Sequence, residues 1–204
     1  MARNTTPILK QSRREKTALH PKAIKGMTKR PYGPGQHGPN SGRAKLTQYA
    51  IQLREKQKVK RMYGLLEKQF AKVVTEAERR QGLTGDTLVQ LLEQRLDNAV
   101  YRLGLAISRQ AARQLVTHGR FMLNGRRVDI PSILLKPGDE IQVRAKSLAN
   151  GYFKVALDGL SGNTSIRWLS FDPKKATIKV TGLPAREDVT EEIHEQLIIE
   201  FYSR

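Results

Sequence analysis

The 204-residue sequence has no cysteine, so neither a disulfide nor a thiolate metal site is available. Aromatic residues make up only 6% of it, too few for a binding mode built mainly on stacking bases against rings. Acids are scarce: 19 Asp+Glu stand against 37 Lys+Arg. A paired-carboxylate acid–base centre therefore has little to draw on in the basic regions. Runs of apolar residues long enough to cross a bilayer are missing. The first residues, MARNTTPILKQSRREK, lack the apolar run of a secretory signal and a Gly after the Met for myristoylation. The last residues carry no Cys for prenylation. No nucleophile motif of the G-x-S-x-G type occurs.

What is present is positive charge, formally +18. That excess repels itself in a compact chain and points to a polyanionic partner, nucleic acid first and an anionic membrane surface second. Its distribution is uneven. Met1 to Arg61 holds 16 Lys+Arg and 2 Asp+Glu, and Glu93 to Ser147 holds 10 and 5. Leu148 to Arg204 holds 7 and 8, so the last quarter carries no polyanion signal. A membrane-surface helix would need a strong amphipathic pattern, yet Leu46 to Arg61 offers only Leu46, Ile51, Leu53 and Val59 as apolar content.

Met1 to Gly42 is poor in apolar residues and punctuated by Pro31, Pro34, Pro39, Gly33, Gly35, Gly38 and Gly42, which predicts an extended basic arm ordered by a partner. Thr47 is a candidate N-cap for a basic helix running to about Tyr63, broken at Gly64. A second helix is expected from Leu65 to about Arg80, with Leu66, Phe70 and Val73/Val74 inward. Asp86 is the candidate N-cap of a third, whose stripe runs from Leu88 through Leu96 to Leu103. Ser108 caps a fourth that ends at Gly119. The period then changes to two. Asn124-Gly125 predicts a hairpin between Phe121–Leu123 and Arg126–Val128. Pro137-Gly138-Asp139 is a turn before a strand at Ile141 and Val143, and two more strands are expected at Ser165–Phe171 and Thr177–Val180. Gly151, Gly159 and Gly162 read as loose connections. Asp188 and Glu191 read as the capping box of a last helix carrying Ile193, Leu197 and Phe201 on one face. The fold class is α+β: helices first, a small antiparallel sheet after them, and a terminal helix.

The informative stretch is EQRLDNAVYRLGLAISRQAARQLVTHGRFMLNGRRVDIPSILLKPGDEIQVR, Glu93 to Arg144. Arg95, Arg102, Arg109, Arg113, Arg120, Arg126 and Arg127 recur through it. Arg109 and Arg113 share a helix face, and arginine suits bidentate contact with phosphate. Asp97 is expected to brace this unit through a neighbouring Arg. The stretch resembles the RNA-binding module named after ribosomal protein S-four. MAR, SRRE, PGQHG, LREKQKVKRMYGLLEKQF and the ending EQLIIEFYSR extend the resemblance over nearly the whole chain, to the bacterial small-subunit ribosomal protein S-four family.

The resemblance implies two domains: a helical one (43–92, with 183–204 packing back on it, preceded by the arm 1–42) and the module with added strands (93–182). It implies a structural constituent of the small ribosomal subunit, in the cytoplasm or in an organelle ribosome. Such a protein binds a multi-helix junction of small-subunit ribosomal RNA early in assembly, contacts the neighbouring ribosomal protein S-five, lies beside the channel through which messenger RNA enters, and contributes to decoding accuracy. Many family members bind zinc through a Cys cluster in the arm; this chain has none. His20 and His37 could not replace it, since structural zinc needs four ligands at close spacing. No cofactor is therefore expected.

Expected RNA contacts are Arg3, Arg13, Arg14, Lys16, Gln36, His37, Arg43, Lys45, Arg54, Lys56, Lys58, Lys60 and Arg61 in the first third. In the module they are Arg95, Arg102, Arg109, Arg113, Gln114, His118, Arg120, Asn124, Arg126 and Arg127. Glu200 and Tyr202, in the neutral last quarter, are the expected protein contact. Gly33-Pro34-Gly35-Gln36-His37-Gly38 matches G-x-G-x-x-G literally, but no strand precedes it and prolines interrupt it, so it reads as a tight turn that lets backbone approach RNA. An RNA-modifying enzyme that borrows the module would need a further catalytic domain of roughly 100 residues, for which Leu148 to Arg204 leaves no room. A stand-alone module protein that rescues ribosomal particles fits the long basic arm poorly.

Overall fold

The computed structural model describes residues 4–43, 45–160, 166–172 and 175–203. Contacts divide the chain into two compact units: Met1–Gly85 with Glu192–Arg204, and Asp86–Glu191.

In the first unit the basic arm is not extended. It forms helices α1 (Ile8–Glu15) and α2 (Pro21–Lys29) and a 3-10 turn at Gly38–Arg43. Low apolar content does not leave this segment without order. Here polar side chains knit the segment instead. Gln11 donates to the Asn4 side chain (3.1 Å) and to the Thr6 carbonyl (2.8 Å), Ser12 Oγ accepts from the Leu19 N–H, and Arg13 donates to the Tyr32 and Gly33 carbonyls at 2.9 and 3.0 Å. His20 Nδ1 caps α2 by accepting from the Lys22 N–H (2.9 Å), with Pro21 at the first helical position.

Helix α3 (Gln48–Met62) begins where Thr47 Oγ1 accepts from the Ala50 N–H and ends at Gly64, whose φ of +67° no other residue adopts cheaply. Helix α4 (Glu67–Arg79) buries Phe70, Val74 and Ala77. The terminal helix α10 (Glu195–Tyr202) packs on α3, with Ile198 completely buried. It starts later than the expected capping box. Asp188, in the second unit, instead closes a 3-10 turn by accepting from the Ala185 N–H, and Glu191 accepts from Arg102 and Arg109 of that same unit.

In the second unit the long third helix is two. Helix α5 (Thr84–Glu93) begins ahead of Asp86, and α6 (Leu96–Arg102) follows a break at Arg95, whose extended backbone bridges Leu134. The Leu96 N–H bonds the Ile133 carbonyl (2.9 Å), so a long-range pairing outweighs the helical stripe. Helix α7 (Arg109–Thr117) is capped by Ser108 as expected.

Strands β1 (Phe121–Leu123), β2 (Arg126–Val128), β3 (Glu140–Val143), β4 (Leu169–Asp172) and β5 (Thr177–Val180) form one antiparallel sheet in the order β2-β1-β3-β5-β4. The hairpin turns on Asn124 (φ +49°) and Gly125 (φ +78°) in the expected register, Leu123 opposite Arg126. Gly151 and Gly159 do not mark a loose connection. They lie in α9 (Gly151–Leu160), which follows the short α8 (Ala145–Leu148), while Gly162 lies outside the described residues. Asn150 Oδ1 accepts from the Tyr152 N–H at the start of α9, and Phe153 is buried against Phe121 in the core of α6, α7 and the sheet.

Candidate nucleic-acid interface

Much of the basic charge of α3 is spent inside the first unit. The buried Glu15 side chain accepts from Arg54 (3.2 Å) and from Arg61. Burial pushes its carboxyl above the ordinary range, against the pull of Arg54, Arg61 and Arg14. Lys56 and Lys60 both donate to Glu67 at 2.7 Å, and Lys56 also lies over the Phe201 ring. Burial alone would raise Glu67, but hydrogen bonds from Lys56, Lys60 and Tyr202 override it and hold the carboxyl at about 2. Lys58 pairs with Glu55 at 2.9 Å. Of these residues expected at phosphates, Lys58 braces α3 itself, and Arg54, Lys56, Lys60 and Arg61 tie α3 to α1 and α4. Glu200 and Tyr202, expected at a protein contact, do the same: Gln52 donates to Glu200 and the Tyr202 hydroxyl donates to Glu67, each at 2.8 Å.

Cations that face solvent in this unit lie mostly ahead of α3. Arg14, Lys16, Gln36, His37 and Lys45, expected at RNA, are exposed. So are Lys10, Lys22, Lys25, Lys29 and Arg30, which sequence reasoning did not single out. Their signal was the 3.6-residue periodicity of α1 and α2, hidden by the low apolar content. Arg3 and the Arg43 side chain lie outside the described residues. Between α1 and the Pro31–Pro39 loop lies a cavity of about 820 Å³, lined by Arg13, Arg14, Lys16, Tyr32, His37, Leu46 and Arg54 among others.

The second unit divides its arginines in the same way. Asp97 braces it as expected, holding Arg95 at 2.9 Å and Arg113 at 3.1 Å. Arg102 donates to Glu93 (2.8 Å) and Glu191 (2.6 Å). Arg109 donates to Asn98 (2.8 Å) and Glu191 (2.8 Å) and lies over the Tyr101 ring. These four side chains are between 7% and 15% exposed. Arg109 and Arg113 were expected to clamp phosphate from a solvent face; the acids of α6 and the segment before α10 draw them inward instead. Burial alone would raise Glu191, but Arg109 and Arg102 overcome it and hold the carboxyl at about 2. Asn124 is also structural. It donates to Asp139 and accepts from the Glu140 N–H, pinning the hairpin to the Pro137–Asp139 turn.

Of the module arginines expected at RNA, Arg120, Arg126 and Arg127 stay nearer the surface, and Arg120 follows the C-terminus of α7, the negative end of the helix dipole. Arg126 and Arg127 are exposed on the edge strand β2, Gln114 and His118 are exposed on and just after α7, and Arg120 is half-buried beside them. Arg144 joins them: its side chain donates to the Gly119 carbonyl and its N–H to the Arg120 carbonyl, both at 3.0 Å. Sequence reasoning did not single out Arg144. The pairing of Phe121 with Val143 places it there, and that register is set by the sheet rather than by any local motif. Among the described residues no group of three His, Cys, Asp or Glu could hold a metal ion, and no helix is long and apolar enough to cross a membrane.

Residues 3–93 match the family model described as "Ribosomal protein S4/S9 N-terminal domain", and residues 94–141 match that of the "S4 domain". Over its whole length the chain is 50% identical to "Small ribosomal subunit protein uS4" of Clostridioides difficile, 48% to that of Chlorobaculum tepidum and 47% to that of Pelotomaculum thermopropionicum, covering all of each. The chain belongs to the uS4 family. The two uS4-family matches meet at residues 93 and 94, at the end of α5, just ahead of the Arg95 break. The S4 domain match takes in α6, α7 and the hairpin, and with them Arg120, Arg126 and Arg127; Arg144 lies just past it.

Proposed function

We propose that this chain is a structural constituent of the small ribosomal subunit, not an enzyme, and that it binds small-subunit ribosomal RNA chiefly through phosphates. Full-length similarity to proteins named small ribosomal subunit protein uS4 carries the reading. Surface cations in both units support it: exposed Lys10, Arg14, Lys16, Lys22, Lys25 and Lys29 in one, and exposed Arg126 and Arg127 with half-buried Arg120 and Arg144 in the other. Scarce aromatics favour recognition of RNA shape and backbone over reading of single-stranded sequence.

The finer role follows from the family resemblance. The chain binds early in assembly and fixes the angles between RNA helices at a junction, because neutralised phosphates lower the repulsion between them. It lies near ribosomal protein S-five and the channel through which messenger RNA enters. Arg95, Arg102, Arg109 and Arg113 serve this role indirectly, by making the module rigid.

A salt-titrated binding assay against the transcribed 5′ domain of small-subunit ribosomal RNA, with transfer RNA as competitor, tests the reading. If about 8 phosphates are neutralised, the log–log slope is roughly −6 to −7, and binding survives the competitor. A slope near zero sinks the mechanism. Equal binding to both RNAs reduces the protein to a general basic RNA binder.

A further inference from the structure

We propose that the cavity between α1 and the Pro31–Pro39 loop receives one unstacked nucleotide of the ribosomal RNA, its base against Tyr32 and Leu46 and its phosphate on Arg14 and Lys16. This rests on the RNA-binding reading above and gives that reading a base-level contact.

The cavity has the size and composition of a small-ligand site. Its volume, about 820 Å³, falls within the roughly 300–1,000 Å³ of such pockets. Prolines 31, 34 and 39 with Leu46 supply apolar wall, and Arg14 and Lys16 supply positive charge. Tyr32 is 39% exposed and Leu46 57%. A flat apolar surface flanked by cations suits a base joined to a phosphate; an acidic peptide would use the cations and leave the wall wet.

The walls are set before any ligand arrives. Arg13 donates to the carbonyls of Tyr32 and Gly33 and stacks its guanidinium 5.0 Å from the Tyr32 ring centre. A base laid on the exposed part of the ring extends that stack. At Gly38 a Cβ would meet the Gly33 carbonyl oxygen at 2.0 Å, so the loop closes tightly on itself. Arg54 is tethered to the buried Glu15 carboxylate. Preorganisation of this kind lowers the ordering cost of binding.

Base-specific chemical modification of the RNA, free and bound to the full chain, tests the proposal with wild type, Leu46→Asp and Tyr32→Ala. Circular dichroism of the variants checks that they are folded. Expected is one base, reactive in free RNA, that wild type protects and both variants leave reactive, the rest of the footprint being unchanged. Tyr32→Ala weakens binding roughly 5- to 100-fold if it removes one base stack. If the folded variants protect every base that wild type does, the proposal is overturned while the RNA-binding reading stands. If wild type protects no base and binds no RNA, the RNA-binding reading falls and the proposal with it. A titration with the four nucleoside monophosphates, followed through the Tyr32 ring resonances, separates the two sources of the ligand. Saturation by a free monophosphate, with no single protected base in the RNA, would assign the cavity to a free nucleotide and overturn its RNA occupant.

Discussion

Arg109 on α7 donates to Glu191 at 2.8 Å across 82 positions of chain. The same carboxylate accepts from Arg102 at 2.6 Å, so one acid on the segment before α10 fastens two helices of the module. Glu191→Gln leaves two poorly exposed guanidiniums short of charge and costs about 3 kcal/mol of module stability, measured by urea unfolding. The pH dependence identifies the cause. Because Glu191 is held at about 2, below its ordinary 4.5, its contribution is complete above about pH 4.5 and is lost as the pH falls toward 2. The stability gap between wild type and Glu191→Gln therefore stays level from pH 8 to 5 and closes at lower pH. A gap that persists at pH 2.5 would remove the ion pairs from the explanation.

That pairing explains much of what was and was not legible in the sequence. Features set by neighbours along the chain were readable: Thr47 and Ser108 as caps, Asn124-Gly125 as the hairpin turn, and Gly64 and Gly119 as helix ends. Features set by distant residues were not. Arg109 had the spacing of a phosphate face and Glu191 that of a capping box, and no local rule pairs them. The break at Arg95 depends on Leu134, in a segment 39 residues on. The helices of the arm are held by Gln11, Ser12, Arg13 and Glu15, polar residues that a search for apolar periodicity passes over. Gly151 and Gly159 looked like punctuation because nothing nearby showed that Phe153 is buried in the sheet core.

The arginines of the module divide into two classes that binding and unfolding experiments separate. Arg126→Ala and Arg127→Ala remove exposed cations. Each is expected to flatten the salt slope of RNA binding by somewhat under 1 and to leave the urea midpoint within experimental error. Arg113→Ala removes one of two partners of the buried Asp97, so it lowers the urea midpoint and leaves the salt slope unchanged once the protein is folded. The reverse pattern would exchange the two roles.

Tyr202 gives a cleaner measure of a single contact. Its hydroxyl donates to Glu67 at 2.8 Å, beside Lys56, and burial together with that bond raises its pKa above the ordinary tyrosine value. Tyr202→Phe keeps the ring and deletes the hydrogen bond, and about 1 kcal/mol should be lost from the first unit. Because the raised pKa favours the neutral phenol, stability from this group is present below about pH 10 and fades above it in wild type, but not in the variant. Identical alkaline unfolding curves for the two proteins would show that the bond contributes nothing.

Gly119 joins fold and function at one position. Its φ is +62°, a left-handed conformation that ends α7, and a Cβ there would meet Arg127 Nε at 2.5 Å. Gly119→Ala therefore has two consequences that are measured separately. The left-handed backbone costs a side-chain-bearing residue about 1–2 kcal/mol, read as a lower urea midpoint. The displaced Arg127 guanidinium leaves its place against Gly119, read as weaker RNA binding at salt concentrations where the variant is still folded. In Arg127→Ala the crowding is gone, so adding Gly119→Ala to that background should cost only the backbone part of the stability and nothing further in RNA affinity. If the double variant loses as much affinity as the two single changes combined, Gly119 acts on RNA by a route other than Arg127, and the basic residues around the end of α7 are not the binding element.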